Sequence, residues 1–384
     1  MTYRVRINPE MLKWARIDAG YDSTNLPKNL RKKYQDWESG KIDPTWNQLR
    51  ELSNKYKRPS AFFFRSEPPK HEKVDLIEYR KIDPLTNNKK SPKLTLGIRS
   101  VKHKRNIYME LIRDMRFPTK SFEENRFNST NPMAFAEKIR SLLNISLDEQ
   151  KNWIYNSSGK KDYDHYTFLN QWKEKISELG VLIFEISRVS KKEMKALCIY
   201  YDNYPIILLN GADPVNARIF SLFHELTHLM LGESAICDLD ETNSKEKFCN
   251  AVAGEVLVPS EDLKNNPIVL NHSGEWDDKD LLDISDEYGV SNEVSLLRLV
   301  FINKATQDFY NYKKREWDEK FCNHSTNSSN GGSPVLNQVK YNGKMYSRLV
   351  FSALENNVIG PVEFADYMGL RLKHLGNLEE YLFR

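Results

Sequence analysis

The sequence predicts an α+β protein with helical segments at both ends and a small sheet in its central part. Short helical patterns fill residues 1–70, and β-branched and aromatic runs cluster between residues 180 and 210. A helix carrying an H-E-x-x-H pentapeptide follows these runs. At 384 residues, with 40% hydrophobic and 11% aromatic side chains, the chain is long enough for two or three folded domains.

Composition limits the classes of protein that fit this sequence. The chain has no apolar run of roughly 18 residues and no apolar segment near its start, so neither a transmembrane helix nor a secretory signal is predicted. Its four cysteines, Cys198, Cys237, Cys249 and Cys322, lack Cys-x-x-Cys spacing and are expected to be reduced thiols in a cytoplasm. Cys237, in a predicted loop near the H-E-x-x-H helix, is also an alternative ligand or redox residue.

The pentapeptide His224-Glu-Leu-Thr-His228 is the strongest functional signal. It lies in residues 217–231, a run without proline or glycine whose apolar residues recur with helical spacing. Because helix residues four apart share a face, both imidazoles can bind one metal ion. Glu225 can then act as general base on a water molecule at that ion. The alternative is an accidental spacing on a buried helix that binds no metal.

A catalytic zinc ion usually takes three protein ligands, so a further ligand is expected downstream. Glu246 is favoured, because residues 244–259 read as a helix on which Glu246, Asn250 and Ala253 share one face. A solvated helix charge is the alternative for Glu246. The other carboxylates considered are Glu233, Asp238, Asp240, Glu241 and Glu255, of which Glu255 is expected to point elsewhere.

Three parts of this region resemble the ImmA/IrrE family of metallopeptidases: Asn210, the run from Arg218 to His228, and the run from Glu246 to Pro259. The resemblance implies a zincin-like peptidase domain over residues 131–300, Zn²⁺ as cofactor and Glu246 as the third ligand. Three departures leave the ligands and the base in place: Thr227 where the family often has Gly, Cys249 where it has Ala, and Val252 where it has Phe.

The strands ahead of the H-E-x-x-H helix are expected at residues 180–186, 196–201 and 205–210. They predict a small antiparallel sheet, with residues 202–204 as a hairpin turn. Strand 205–210 or its neighbour is expected to be an edge that binds an extended peptide by β-augmentation. A plain core strand is the alternative.

Asn210 and Arg218 are the candidate substrate-binding residues. Together with Tyr200 and Tyr201 they are also candidate donors to the oxyanion of the transition state, and the sequence does not choose among the four. Because Arg218 stands six residues before His224, a structural ion pair is its alternative.

Residues 1–70 form a basic segment, with 15 lysines and arginines against eight aspartates and glutamates. The whole chain carries a net charge of +4, so positive charge is concentrated at its front, as nucleic-acid binding requires. A solvated basic surface is the alternative. Helices are expected from Pro9 to Gly20, from Arg31 to Gly40 and from Asp43 to Tyr56.

The string Trp37-Glu-Ser-Gly-Lys-Ile-Asp-Pro-Thr45, followed by Leu49 and Leu52, is similar to the XRE (phage-repressor-like) helix-turn-helix domain. The similarity implies a recognition helix near residues 28–35, on which Lys32, Lys33 and Gln35 would contact DNA. Pro27 stands where the second helix of that fold should run. Contacts with protein rather than DNA are therefore the alternative.

The remaining segments are expected to be mostly helical. Residues 71–130 are predicted as a helical linker region with a helix at 102–115, and residues 301–384 as a C-terminal helical domain with a flexible linker at 323–336. Further helices are predicted at 168–179 and at 275–300, the latter with a break at Gly289.

Together these features predict a cytoplasmic zinc endopeptidase that cleaves a specific regulatory protein, either a repressor or a host protein. The implied setting is a phage, mobile-element, defence or stress-response circuit. One alternative is a DNA-binding regulator whose peptidase fold senses without proteolysis. Another is the toxin of a toxin–antitoxin pair. No membrane partner is expected.

Overall fold

The chain divides into two structural units, Met1–His103 and Lys104–Arg384, in a computed structural model. The structure describes residues 3–21, 28–69, 91–155, 165–236, 244–323 and 333–383. The boundary between the units falls inside one helix. The sequence instead predicts four segments, at 1–70, 71–130, 131–300 and 301–384. No helix in these described ranges is long and apolar enough to cross a membrane.

The first unit consists of short helices around an aromatic core. Asn8 caps the first helix by accepting a hydrogen bond from the Glu10 amide, and Thr45 and Gln48 form a capping box on the third. Trp37 is buried and packs edge-on against Tyr34, with ring centroids 5.3 Å apart. The helices are α1 (Pro9–Asp18), α2 (Lys28–Glu38), α3 (Trp46–Tyr56) and α4 (Pro92–Asp114), with a 3-10 turn at Ser60–Phe64.

Helix α2 starts three residues before the predicted start at Arg31, and α4 extends well beyond the predicted helix at 102–115. Pro27, where the sequence departs from the helix-turn-helix pattern, lies outside the described residues. The helix-turn-helix interpretation of this unit therefore stays a prediction.

The second unit contains the sheet, the H-E-x-x-H helix and the C-terminal helices. The predicted break at Gly289 separates two of these helices. Most of the predicted linker, residues 324–332, lies outside the described residues, and a helix already begins at Pro334. The helices are α5 (Pro132–Leu143), α6 (Leu147–Asn152), α7 (His165–Glu178), α8 (Val215–Met230), α9 (Ser244–Leu257), α10 (Ser260–Asn265), α11 (Pro267–Asn271), α12 (Asp278–Tyr288), α13 (Asn292–Phe301), α14 (Gln307–Asn323), α15 (Pro334–Asn342), α16 (Lys344–Glu355), α17 (Pro361–Met368) and α18 (Leu375–Phe383).

The sheet has four strands in the order β1-β3-β2-β4. Its strands are β1 (Leu182–Ile186), β2 (Ala196–Ile199), β3 (Ile206–Asn210) and β4 (Ala235–Ile236). Strand β3 runs parallel to β1 and antiparallel to β2, and β2 runs antiparallel to β4. The predicted antiparallel pairing is present between β2 and β3 and between β2 and β4, but it is wrong for β1 and β3, because apolar runs indicate strands but not their order.

Strand β3 is an internal strand, since β1 and β2 occupy its two sides. The prediction named residues 205–210 or a neighbouring strand as the edge; it is wrong for residues 205–210, where the core-strand alternative is correct, whereas β1 beside them is an edge strand. Peptide binding at an edge stays a prediction. The edge strands of the described sheet are β1 and β4.

Helix α8 is the centre of the second unit and packs against α7, α9, β2 and β3. Leu222, Phe223, Leu226, Leu229 and Met230 are all fully buried. Each such side chain stabilises the fold by about 1.5–3 kcal/mol relative to exposure. The same burial removes the polar side chains of α8 from water, and buried polar groups are costly unless they have partners.

Gly289 ends α12 in a left-handed conformation, with φ at 69°. A Cβ atom at this position would lie 2.1 Å from the ring of Phe168 on α7. Only glycine therefore satisfies both the turn and the close packing of α12 on α7.

We expect Gly289→Ala to lower the free energy of unfolding by about 2–3 kcal/mol, because it adds overpacking to backbone strain. Gly376→Ala is the matched control, since it lies in α18 with no described atom within 4 Å of its added Cβ. That variant should be unchanged or up to about 1 kcal/mol more stable. Denaturant unfolding measures both variants, and equal stabilities for the two would contradict the packing argument.

Candidate metal centre

Helix α8 places His224 and His228 one turn apart on the side that faces α9. Their Nε2 atoms are 3.2 Å apart, and the residues are only 4% and 2% exposed. The spacing of four residues in the sequence thus becomes a pair of adjacent ring nitrogens in a buried position.

Glu246, in the first turn of α9, brings a carboxylate to this histidine pair. Its Oε2 atom is 3.0 Å from His224 Nε2, and its Oε1 atom is 3.4 Å from His228 Nε2. Glu246, the carboxylate favoured from the sequence, thus contacts both imidazoles. Its side chain is 19% exposed, so one side of the group of donors opens toward solvent.

Cys249 is a further donor that the sequence reasoning assigned to structural thiols. It lies three residues after Glu246 on α9 and is fully buried. Its sulfur and one nitrogen of each histidine all lie within 4.8 Å of one another. The spacing of Glu246, Cys249 and Asn250 on one helix face was the signal that could have found this residue.

Asn250 orients the first histidine. Its Oδ1 atom is 2.8 Å from His224 Nδ1. With Nδ1 donating to this oxygen, Nε2 keeps its lone pair on the side of Glu246, which is the arrangement that metal-binding histidines need.

The second histidine lies among acidic groups. His228 Nδ1 is 3.7 Å from Glu233 Oε2, and Lys245 Nζ is 2.5 Å from the other carboxylate oxygen of Glu233. Burial alone lowers the pKa of His228, but its contacts with Cys249, Glu233 and Glu246 raise that pKa to about 12. The surroundings of His228 therefore strongly favour a positive charge.

The two carboxylates respond in the opposite sense. The contact with His228 lowers the pKa of Glu233 to about 2. Burial opposes the ionisation of Glu246, yet the two histidines hold the pKa of its carboxyl well below its usual range. A cation between these groups would satisfy the same charges, so the donors present fit a metal ion.

Glu225 is fully buried on α8, directly after His224. The negative charge of its carboxylate acts on the thiol of Cys198, on β2, whose sulfur donates a hydrogen bond to the Glu233 carbonyl oxygen at 3.8 Å. Burial, followed by the negative charge of Glu225, raises the pKa of Cys198 well above its ordinary value, so Cys198 remains a protonated donor. Sequence reasoning did not anticipate this contact, because the two residues lie on different elements.

Asn210 is buried at the end of β3, where its side chain holds the main chain. Its Nδ2 atom donates to the carbonyl oxygens of Val189 (3.2 Å) and Met194 (2.8 Å). Its Oδ1 atom accepts from the Ala212 amide at 3.0 Å. These bonds explain Asn210 without a contact to substrate.

Arg218 forms a buried ion pair with Glu185 of β1, with Nη1 2.8 Å from Oε2. Its Nε atom also donates to the Asp213 carbonyl oxygen at 3.2 Å. The structural ion pair considered for Arg218 is therefore present, and a substrate contact of Arg218 stays a prediction. Of the tyrosines considered as oxyanion donors, Tyr201 packs its ring 3.6 Å from the Arg105 guanidinium.

Among the other sequence-predicted residues, Glu255 contacts neither histidine in the described contacts. Glu255 points toward α13, as expected, where it pairs with Arg298 and accepts hydrogen bonds from Ser260. Lys32, Lys33 and Gln35, the predicted DNA contacts, are exposed on α2. The candidates Cys237, Asp238, Asp240 and Glu241 lie outside the described residues.

Two buried imidazoles, a carboxylate from a second helix and an adjacent buried glutamate are residue types found at catalytic zinc sites. Residues 176–300 match the family model Peptidase_M78, described as the IrrE N-terminal-like domain. This stretch runs from the end of α7 almost to the end of α13, so it contains every residue of the candidate centre. The match supports a metallopeptidase of the IrrE/ImmA type.

The match covers about a third of the chain and leaves the N-terminal unit outside it. A comparison with curated proteins found no match. The resemblance noted for the H-E-x-x-H region is thus supported at the level of the domain. The resemblance of residues 1–70 to a helix-turn-helix domain stays a prediction.

The structural role of Arg218 predicts an asymmetry between two variants. In Arg218→Met, Glu185 keeps its ion pair with Lys173, so we expect a loss of about 1–2 kcal/mol. In Glu185→Gln, the buried cations lose their carboxylate, so we expect a loss of about 3–5 kcal/mol. Thermal unfolding of both variants tests this order, and a larger loss in Arg218→Met would contradict it.

Proposed function

We propose that residues 131–300 form a zinc-dependent endopeptidase in which His224, His228 and Glu246 hold the metal ion and Glu225 is the general base. The observation that carries this proposal is the convergence of Glu246 on both Nε2 atoms of the buried histidine pair. The family match over residues 176–300 supports the reaction class.

The residues of this chain supply the proton transfers. When bound, the metal ion supplies Lewis acidity toward the scissile carbonyl and lowers the pKa of water. The Glu225 carboxylate takes a proton from the attacking water and delivers it to the nitrogen of the leaving amine. Because Glu225 is buried, its charge acts in a medium of low dielectric, where electrostatic interactions are stronger.

Cys249 raises the question of whether the metal site is open or closed. A set of three protein ligands leaves a position for water, whereas a fourth protein ligand gives the closed site of a structural zinc. We favour the open set, because Glu246 contacts both imidazoles with its two carboxylate oxygens.

Metal content separates these two donor sets. We expect the wild type and Glu225→Gln to purify with stoichiometric zinc, and His228→Ala and Glu246→Gln to bind zinc more than roughly a hundredfold more weakly, since they remove ligands rather than outer partners. Cys249→Ala should keep its zinc. Elemental analysis and zinc titration measure this, with circular dichroism to verify folding. Loss of zinc in Cys249→Ala equal to that in Glu246→Gln would support the closed set instead.

The proposed substrate is a specific regulatory protein, a repressor or a host protein, in a phage, mobile-element, defence or stress-response circuit. The resemblance to ImmA/IrrE peptidases and the concentration of positive charge in residues 1–70 support this setting. A regulator that binds DNA without cleaving protein is the second candidate. The exposure of Lys32, Lys33 and Gln35 on α2 favours it.

Mapping of new protein termini in cells tests the proposed cleavage. We expect termini that appear with the wild type to be absent with Glu225→Gln, because that variant lacks the base but keeps the metal ligands. Glu261→Gln, a change at an exposed position on α10, is the matched control and should preserve cleavage.

The opposite result favours the second candidate. If the cellular phenotype persists in Glu225→Gln and no terminus depends on Glu225, the peptidase proposal is wrong. A salt-dependent DNA complex that Lys32→Gln and Lys33→Gln weaken would then identify the regulator.

A further inference from the structure

The second unit contains a cavity of about 310 Å³ bordered by α7, β1 and the C-terminal helices α15, α16 and α18. Its described lining includes none of the candidate metal ligands. Its volume is at the lower end of the range of small-molecule sites, about 300–1,000 Å³. It is therefore large enough for a small ligand.

Three cations meet one buried carboxylate at this cavity. Glu185 is only 1% exposed at its side chain, and its Oε2 atom lies 2.8 Å from Arg218 Nη1 and 3.7 Å from Lys340 Nζ. Lys173 Nζ hydrogen-bonds its other oxygen. A single negative charge thus faces three positive charges contributed by α7, α8 and α15.

The neighbouring acidic groups do not balance this excess. Glu174 lines the cavity, but its negative charge is matched by the positive charge of Arg348, with which it forms an ion pair. Asp213 accepts a hydrogen bond from Arg218 Nε through its main-chain oxygen, and its carboxylate lies 4.0 Å from Lys191 Nζ. Lys344 adds another ammonium group to the lining, 5.6 Å from the ring of Tyr381. Glu185 and its three cations therefore leave an excess of about two positive charges, and Lys344 is a further positive charge at the cavity.

The crowding of charge is reflected at Lys173. Burial lowers the pKa of Lys173 despite the attraction of Glu185, and the charges of Arg218 and Lys340 lower it further. A bound anion would offset both the cost of burying the lysine charges and their mutual repulsion, because it would stabilise the charged form of each lysine.

We propose that this cavity binds a small anion that carries a phosphate monoester group. Such a group has a charge of about −1.5 to −2 at neutral pH, which matches the excess. Lysine ammonium groups bind phosphate as point charges, and Lys173, Lys340 and Lys344 supply three of them at the cavity. The rings of Tyr166 and Tyr381 provide surface for the organic part of the ligand.

The occupant would connect separate parts of the second unit. Lys340 and Lys344 belong to the C-terminal helices, whereas Arg218 lies on α8, the helix that also carries His224. The charge of the ligand would therefore influence the packing of the C-terminal helices against the helix of the candidate metal centre. This inference does not rest on the proposed peptidase activity.

The experiment is calorimetric titration of the full chain, freed of metal so that phosphate cannot bind at the histidine pair. The probes are inorganic phosphate, glycerol 3-phosphate and adenosine monophosphate, with adenosine and citrate as comparisons at constant ionic strength. We expect the phosphate probes to bind and to raise the melting temperature, and adenosine to do neither. Tighter binding of a phosphate ester than of inorganic phosphate would identify an organic ligand. Binding of citrate alone would overturn the choice of phosphate.

Lysine variants locate the site. Lys340→Gln and Lys344→Gln should each weaken phosphate binding about tenfold, the effect of losing one charged hydrogen-bond partner. Lys340→Arg should keep most of the affinity. Lys373→Gln, a change at an exposed lysine outside the lining, is the control and should bind like the wild type.

Melting temperatures without ligand show that each variant folds, and Lys344→Gln remains informative if Lys340→Gln is unstable. Affinities unchanged in both lysine variants, or no binding of any phosphate probe, would overturn the proposal.

Discussion

The contact between α8 and α9 is the interaction on which the candidate centre depends. Helix α8 is buried on almost all sides, so its histidines and glutamate have lost the solvation that water would give them. Contacts to both histidines come from one face of α9, where Glu246, Cys249 and Asn250 lie within about one helical turn. A rotation of α9 by half a turn would remove the carboxylate and the orienting amide together. The packing that positions α9 is therefore also what permits α8 to carry polar groups in the core.

Two buried clusters of charge lie along α8 and have opposite balances. Around His228, with both imidazoles in the neutral form that binds metal, the carboxylates of Glu233 and Glu246 outnumber the single ammonium group of Lys245 and favour a cation. Around Glu185, near the beginning of the helix, three cations share one carboxylate and favour an anion. Clusters of like charge are costly to bury without a counter-ion. The structure thus indicates two kinds of ligand from charge balance alone.

Much of the candidate centre could be predicted from the sequence, because its strongest signal is local. The spacing of His224 and His228 fixes their common face, and the same helical period singled out Glu246. Cys198 could not be found in this way, since β2 meets α8 only through the tertiary fold. Asn210 and Arg218 were assigned to substrate because they are polar residues near the motif. Only the structure shows that the Asn210 side chain donates to a main-chain carbonyl oxygen and that Arg218 pairs with Glu185.

The same distinction explains the errors about the sheet. The hairpin from β2 to β3 follows from a local turn, whereas the parallel pairing of β1 with β3 joins two strands that are separated in the chain by β2.

The resulting strand order has a consequence for solubility. With β3 inside, the described sheet offers only β1, against which α15 packs, and the two-residue strand β4 as edges. Such short or covered edges give other chains little backbone to pair with, so this sheet is protected against edge-to-edge aggregation.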